Sequence, residues 1–298
     1  MAEVLGKLTG EEAPILRQVA LLAGYVAHRQ DPGTALIRAL SSIDDGLRAR
    51  ALQSVGELGR RDLLPLARQA LSSKDEACRF FAARTCALLG ERAALPILCS
   101  LAEKGSPHAV ESGSLVVRMM ERGDARKWLM GFTEQPEHHR LALAGCAALG
   151  DPFFIPWLLR MMRVPERTRR VAGESFRFIT GADLSERPLE GSALEGAGDE
   201  AESDAEVLEM DADSELPWPA PEVVAAWWAE RKEDFHSEVR YLLGHPMTPE
   251  SLREGLRLGR QRERRSAALE LAMRYPGQPL FDVGAPGFRQ RQWLAALP

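Results

Sequence analysis

The sequence predicts an all-α protein, an α-solenoid of stacked helical hairpins. Three observations predict it. The residues repeat themselves at a spacing of 31. Within each repeat, apolar residues recur in steps of three and four. Glycine and proline fall at fixed places between the apolar runs. With 298 residues, 45% of them hydrophobic and only 6% aromatic, the chain has ample material for a core built from small and aliphatic side chains.

The repeat is read directly. Ser41-Ser42-Ile43-Asp44-Asp45-Gly46-Leu47-Arg48 lies above Ser72-Ser73-Lys74-Asp75-Glu76-Ala77-Cys78-Arg79 when 31 is added to each position. The match runs on through Ala51/Ala82, Leu58-Gly59/Leu89-Gly90 and Leu64-Pro65/Leu95-Pro96, and back to Leu16-Arg17 and Ala20. Leu149-Gly150 with Ile155-Pro156 continues it, and Ile179-Thr180-Gly181 closes a later unit. A unit ending at Gly123 is degenerate, with Ser112 in the arginine slot and Leu129 in the proline slot.

Each unit reads as two helices. The second carries a stripe at Leu47, Ala51, Val55 and Leu58, and then at Cys78, Ala82, Cys86 and Leu89. Asp44 and Asp75 precede these helices, where a carboxylate accepts hydrogen bonds from first-turn amides. The glycine after each Leu suits a left-handed helix stop, and the proline six residues on suits the first turn of the next helix. One hairpin cannot bury its own stripe, so the units must stack. Val19, Leu22 and Val26 lie where a solenoid usually has a polar end, to be covered by Met1–Leu8 or by a second copy.

Three segments result: a solenoid over 1–182, an acidic flexible linker or insertion over 183–216, and a helical C-terminal region over 217–298 that continues or caps the stack. From Asp183 to Glu215 there are 13 acids and one base, so this stretch carries −12 and the rest +7, against −5 overall. Such a composition does not repay its ordering entropy. Beyond it, helices are predicted from about Pro221 to Phe235, after Thr248 as N-cap with Pro249 at the first helical position, from Gln261 to Arg274, and near Phe288–Leu297.

At Asp44, Arg48 and Ala51, and again at Asp75, Arg79 and Ala82, with the Leu-Gly punctuation, the chain resembles the HEAT-like repeats of the phycobilisome-lyase type, over roughly residues 13–181. Further signatures are Phe178-Ile179-Thr180-Gly181-Ala182-Asp183, Trp227-Trp228, Leu256-Arg257-Leu258-Gly259-Arg260-Gln261-Arg262, Ala267-Ala268-Leu269-Glu270 and Phe288-Arg289-Gln290. Together with the repeats they resemble a bacterial HEAT-repeat family encoded near type VI secretion genes. The resemblance implies a cytoplasmic partner of a secretion apparatus, either neutralising an effector (immunity) or acting as a loading adaptor.

Reactive chemistry is sparse. His138 and His139 are adjacent and point about 100° apart on a helix. No histidine pair has the zinc-protease spacing, and no His-Glu dyad of the kind found in HEAT-repeat diiron hydroxylases occurs. Cys78, Cys86, Cys99 and Cys146 follow neither a metal-ligand pattern nor a disulfide framework. Cys78 and Cys86 fall on the core stripe. No apolar run approaches the roughly 18 residues of a membrane span, and Met1–Gly10 lacks a signal-peptide layout. The expectation is a soluble cytoplasmic protein without metal or cofactor, and not an enzyme.

Binding residues are sought among the charges and tryptophans. Arg17, Arg48, Arg79 and Arg170 share one repeat slot. They are read as a structural ladder of Arg–Asp contacts with Asp44 and Asp75 as partners, or else as a ligand-facing basic row. Arg50 and Arg84, with Phe81 and Leu88, lie on a side of the second helices expected to be exposed, where a partner would dock; an irregular packing role is the alternative for Phe81 and Leu88. Arg257, Arg260 and Arg264 belong to a basic run from Arg253 to Arg265, either a solvated face or a site for phosphates or the chain's own acidic segment. Trp227 and Trp228 cannot both face inward on one helix, so one is expected inside and the other is free to meet a neighbour.

The leading functional expectation is a protein-binding module for a secreted effector, a toxin or a secretion component. The alternative is DNA binding. HEAT-like alkylpurine DNA glycosylases hold duplex DNA on a basic concave face with aromatic residues near the lesion, and Trp157, Trp227 and Trp228 are available here. A surplus of +7 over the body is dilute for that task, and the acidic segment opposes it. The acidic segment is a passive linker or, alternatively, an internal competitor for the basic helix.

Overall fold

The structure, a computed structural model, describes residues 15–164, 168–186, 189–191 and 213–296. Among them, helix α1 (Ile15–Ala27) is followed by hairpins of a short and a longer helix: α2 (Thr34–Leu40) with α3 (Asp45–Glu57), α4 (Leu64–Ala70) with α5 (Glu76–Leu88), and α6 (Leu95–Glu103) with α7 (Ala109–Met119). The series continues with α8 (Arg122–Thr133) and α9 (His139–Leu149), then α10 (Ile155–Met161) and α11 (Thr168–Thr180). Helix α12 (Pro221–Arg231) leads to a two-stranded antiparallel ribbon, β1 (Tyr241–Leu242) and β2 (His245–Pro246). Helices α13 (Pro249–Leu258), α14 (Gln261–Arg274) and α15 (Gly287–Ala296) complete it. The fold is all-α and HEAT-like.

Local chemistry sets these boundaries as the sequence predicts. Asp44 Oδ1 accepts from the Leu47 amide and Asp75 Oδ1 from the Cys78 amide, each at 2.7 Å. Gly59, Gly90, Gly150 and Gly181 all adopt positive φ, from 67° to 81°. Pro65, Pro96 and Pro156 occupy the first turns of α4, α6 and α10. Thr248 Oγ1 accepts from the Ser251 amide and so caps α13. Gly123 departs from this pattern. It lies inside α8 rather than after a helix, because Glu121 already serves as N-cap.

The stripes are buried. Leu47, Ala51 and Val55 on α3 pack with Leu89 of the next repeat, and Cys78, Ala82 and Cys86 are fully enclosed. Small residues allow close approach here. A Cβ on Gly56 would lie 2.7 Å from Thr85 Oγ1, and that hydroxyl donates to the Leu52 carbonyl. A serine repeats the device, Ser175 donating to the Leu143 carbonyl at 2.9 Å.

The described residues fall into two compact units. Unit 1 holds those up to Met119 with those from Leu252 onward, and unit 2 those from Met120 to Ser251. In unit 1, Leu22 and Val26 are not an uncovered end. Both are buried, and Leu22 joins the core cluster with Leu36, Leu47 and Val55. Helix α14 packs on α5 and is fixed to α7 by an enclosed ion pair, Arg118 to Glu270 at 3.0 Å. Met1–Leu8 lies outside the described residues, as does 192–212 of the acidic stretch. The flanks of that stretch pack into unit 2: Leu184, Leu189 and Asp213 are buried, and Asp213 accepts from Arg140 at 2.6 Å.

In each unit a strap of later sequence crosses two repeat corners 31 residues apart. In unit 1 the Leu280 amide donates to the Glu57 carbonyl at 2.9 Å, with Gly277 and Gln278 against Gly59 and Pro276 against Gly90. In unit 2 the Tyr241 amide donates to Gly150 O and the Leu243 amide to Phe178 O, both at 2.7 Å. Straps thus supply donors to helix-end carbonyls that no intrahelical amide reaches. The ribbon turn places Leu243 and Gly244 at φ of 55° and 78°, the two left-handed positions a tight hairpin needs.

Candidate functional site

The second helices of successive repeats present equivalent slots to one side. Arg50 and Glu57 on α3 correspond to Phe81 and Leu88 on α5, and Arg84 corresponds to Gln53. In unit 1 this side faces a cavity of about 460 Å³. Arg50, Glu57 and Arg84 line it from the repeats, with Arg29 from the end of α1 and Glu111 from α7. Its opposite wall is Arg265, Ala268 and Leu269 of α14 and the strap residues Leu280 to Val283. Four arginines and three carboxylates therefore surround a floor of alanines, leucines and a phenylalanine.

The charged groups differ in how they are held. Arg29 is spent on structure: Nε donates to Leu280 O at 2.9 Å and Nη1 to Val26 O at 2.7 Å. Burial first, and then the like charge of Arg50, lowers the pKa of Arg29, opposed by Asp282 and Glu57. Arg84 is 7% exposed and donates from Nε to Glu111 at 2.9 Å, while its Nη1 is enclosed without a hydrogen-bond partner. Arg50 reaches Glu57 only at 3.8 Å, and its Nε is likewise enclosed and unpartnered. Gln53 takes the other Glu57 oxygen at 2.7 Å.

Several expectations need correction. Leu88 is 2% exposed and Phe81 is half-buried against Phe80 and His108, so neither is an open docking residue. Leu88 lies between repeats, its Cδ1 3.2 Å from where a Cβ on Gly56 of α3 would sit. Arg264 is an internal tie, donating from Nε to the Leu256 carbonyl at 2.7 Å and also bonding Gln290. Arg257 and Arg260 are exposed. Trp227 and Trp228 do not divide into one inside and one outside. Both are half-buried and set their edges toward Phe176, at 5.8 and 6.3 Å. Trp228 also meets Phe235, and Arg231 lies over Trp227 at 4.7 Å.

The arginine slot is a carbonyl cap rather than an Arg–Asp ladder. Arg48 Nη1 donates to Ser42 O at 2.7 Å and Arg79 Nη1 to Ser73 O at 2.9 Å, both six residues back. Asp44 and Asp75 are occupied as N-caps. The Cys78 amide chiefly holds the Asp75 carboxyl below its usual range, with smaller help from Arg48 and Arg79. Arg170 instead donates to Ser214 O and lies 4.7 Å over Trp218, and Arg17 is exposed. Asp45, Asp75 and Cys78 bring ligand-type atoms within 4.8 Å of one another. The Cys78 thiol donates to Asp45 O, is pushed up to about 11 mainly by burial, and Arg48 bonds Asp45. A guanidinium already supplies the charge a cation would bring there.

Sequence reasoning missed Arg29, Glu57, Glu111 and Asp282, which come from four separate elements and share no spacing. It also missed a local signal, the acid directly after Leu-Gly. Glu91 caps the Ala93 amide and pairs with Arg68, and Asp151 caps Phe153 and takes Arg126 through both oxygens.

The family described as HEAT repeats matches residues 33–116, the stretch from α2 to α7. The chain is therefore a HEAT-like repeat protein. No curated protein matches it. No helix among the described residues is long and apolar enough to cross a membrane.

Proposed function

We propose that the chain is a non-enzymatic protein-binding module. HEAT repeats commonly serve that purpose, although a fold alone does not assign it. The unit 1 cavity carries the reading. Its polar lining is guanidinium and carboxylate, with no imidazole, thiol or hydroxyl among the described lining residues. Arginines stay charged and do not shuttle protons, and the carboxylates Glu57, Glu111 and Asp282 already accept from Gln53, Arg84 and the Gly284 amide, so this lining suits recognition better than turnover.

The resemblance to a family encoded near type VI secretion genes supports the finer reading, a bacterial cytoplasmic partner of a secreted effector or of a secretion component. Immunity and adaptor roles both need a stable complex. Co-expression with the products of neighbouring genes, followed by size-exclusion chromatography, tests this. A complex that persists through the column is the expected outcome, and the absence of any stable partner contradicts it. Duplex DNA at low salt is the second arm. Binding that falls steeply with salt would favour the nucleic-acid alternative.

A further inference from the structure

We propose that the unit 1 cavity is a site for a carboxylate carried on an apolar body, either the C-terminus of a polypeptide ending in an apolar residue or a free amphiphilic carboxylic acid. The proposal rests on reading unit 1 as a binding module, and it names what that module holds.

Unmet hydrogen-bonding capacity is the first reason. Guanidinium groups lining a protein interior are normally satisfied, yet the Arg50 side chain makes no hydrogen bond among the described residues and comes only within 3.8 Å of Glu57, with 19% of its surface exposed. Arg50 Nε and Arg84 Nη1 are enclosed by protein, which leaves the terminal nitrogens of Arg50 to meet a ligand. Both side chains line the same cavity. Arg84 is more than nine-tenths buried and is braced by Glu111, so it adds a fixed positive charge to the wall, while the terminal nitrogens of Arg50 supply the fork. A planar fork pairs well with the two oxygens of a carboxylate.

Charge count is the second reason. The four lining arginines exceed the three lining carboxylates by one, which a single negative charge balances. A phosphate dianion would overshoot, beside Glu57, Glu111 and Asp282. Shape is the third. Ala268, Leu269 and Phe281 give the cavity an apolar wall, and about 460 Å³ accommodates a large side chain with its terminal group.

The test is calorimetric titration of the full chain at fixed ionic strength. N-acetyl-Leu-Phe as the free acid represents a polypeptide end, and 4-phenylbutyrate a free acid. The amides of both, and inorganic phosphate, complete the set. At least one acid should saturate, with its amide and phosphate weaker by about tenfold or more. Arg50→Met and Arg84→Met should each weaken that acid by about tenfold. Should Arg84→Met fail to fold, Arg50→Met and Arg265→Met carry this arm. Whichever acid binds more tightly identifies the source. Amides binding as well as acids, phosphate binding more tightly, or no saturation by roughly 10 mM would overturn the proposal. Acid binding without a co-purifying protein would sink the protein-partner reading alone, whereas a stable complex with no acid binding would sink this one alone.

Discussion

Cys86 sits on the buried stripe of α5, where burial pushes its thiol up to about 12, and Cys78, two turns earlier on the same stripe, is pushed up to about 11. Both values exceed the ordinary 9.0, so the folded chain holds these protons more tightly than the unfolded chain does. The linked stability is therefore complete below about pH 9 and is lost as pH rises through the folded values. Thermal melts at about pH 8 and about pH 11 should show a falling Tm, with a smaller fall in Cys78→Ala/Cys86→Ala. An unchanged gap between wild type and variant would refute the assignment. A thiol reagent at neutral pH should reach half-buried Cys99 first, because Cys78, Cys86 and Cys146 are buried. Single residues were legible from the sequence where their role is local. Asp44, Asp75 and the left-handed glycines were all read from neighbours a few places away. Leu88 and Arg84 were misplaced as exposed because their neighbours belong to other repeats, Gly56 of α3 for Leu88 and Glu111 of α7 for Arg84, and no local pattern announces them.

Among elements, the straps make the sharpest prediction. Gly105 and Gly150 both have positive φ, at 65° and 67°, but a Cβ on Gly105 meets nothing while one on Gly150 would lie 2.2 Å from Tyr241 O. Gly105→Ala should cost roughly 1–2 kcal/mol, the conformational penalty alone. Gly150→Ala should cost clearly more, since the strap must also lift away. Urea unfolding of the two variants measures the difference, and equal losses would contradict strap docking. Helix α14 offers a second test. Its Glu270 is 5% exposed and paired with Arg118, and Glu270→Gln should destabilise the chain by about 3–5 kcal/mol by leaving a buried charge uncompensated. Arg118→Met with Glu270→Leu should recover most of that loss; failure to do so would mean the pair does more than neutralise itself. The helices were legible because their apolar period and caps are short-range. The two-residue strands were not, since they carry no alternating stretch and exist only where a strap meets the Gly150 and Gly181 corners.

At the scale of the molecule, repeats of 31 residues supply a buried seam within each unit, and in unit 1 the chain's own C-terminal helices close over the open side of that seam. What remains is a charged cavity with an apolar wall. Three of its four arginines were named in advance, Arg50 and Arg84 by their slots and Arg265 as the end of a basic run, whereas Arg29 and Asp282 become neighbours only through folding. Hydrogen exchange of the full chain, alone and in complex with a co-purified neighbouring-gene product, addresses the binding role most directly. Slowed exchange concentrated in α3, α5, α14 and the strap residues Leu280 to Val283 is the expected result. Protection confined to unit 2, with those elements unchanged, would contradict it.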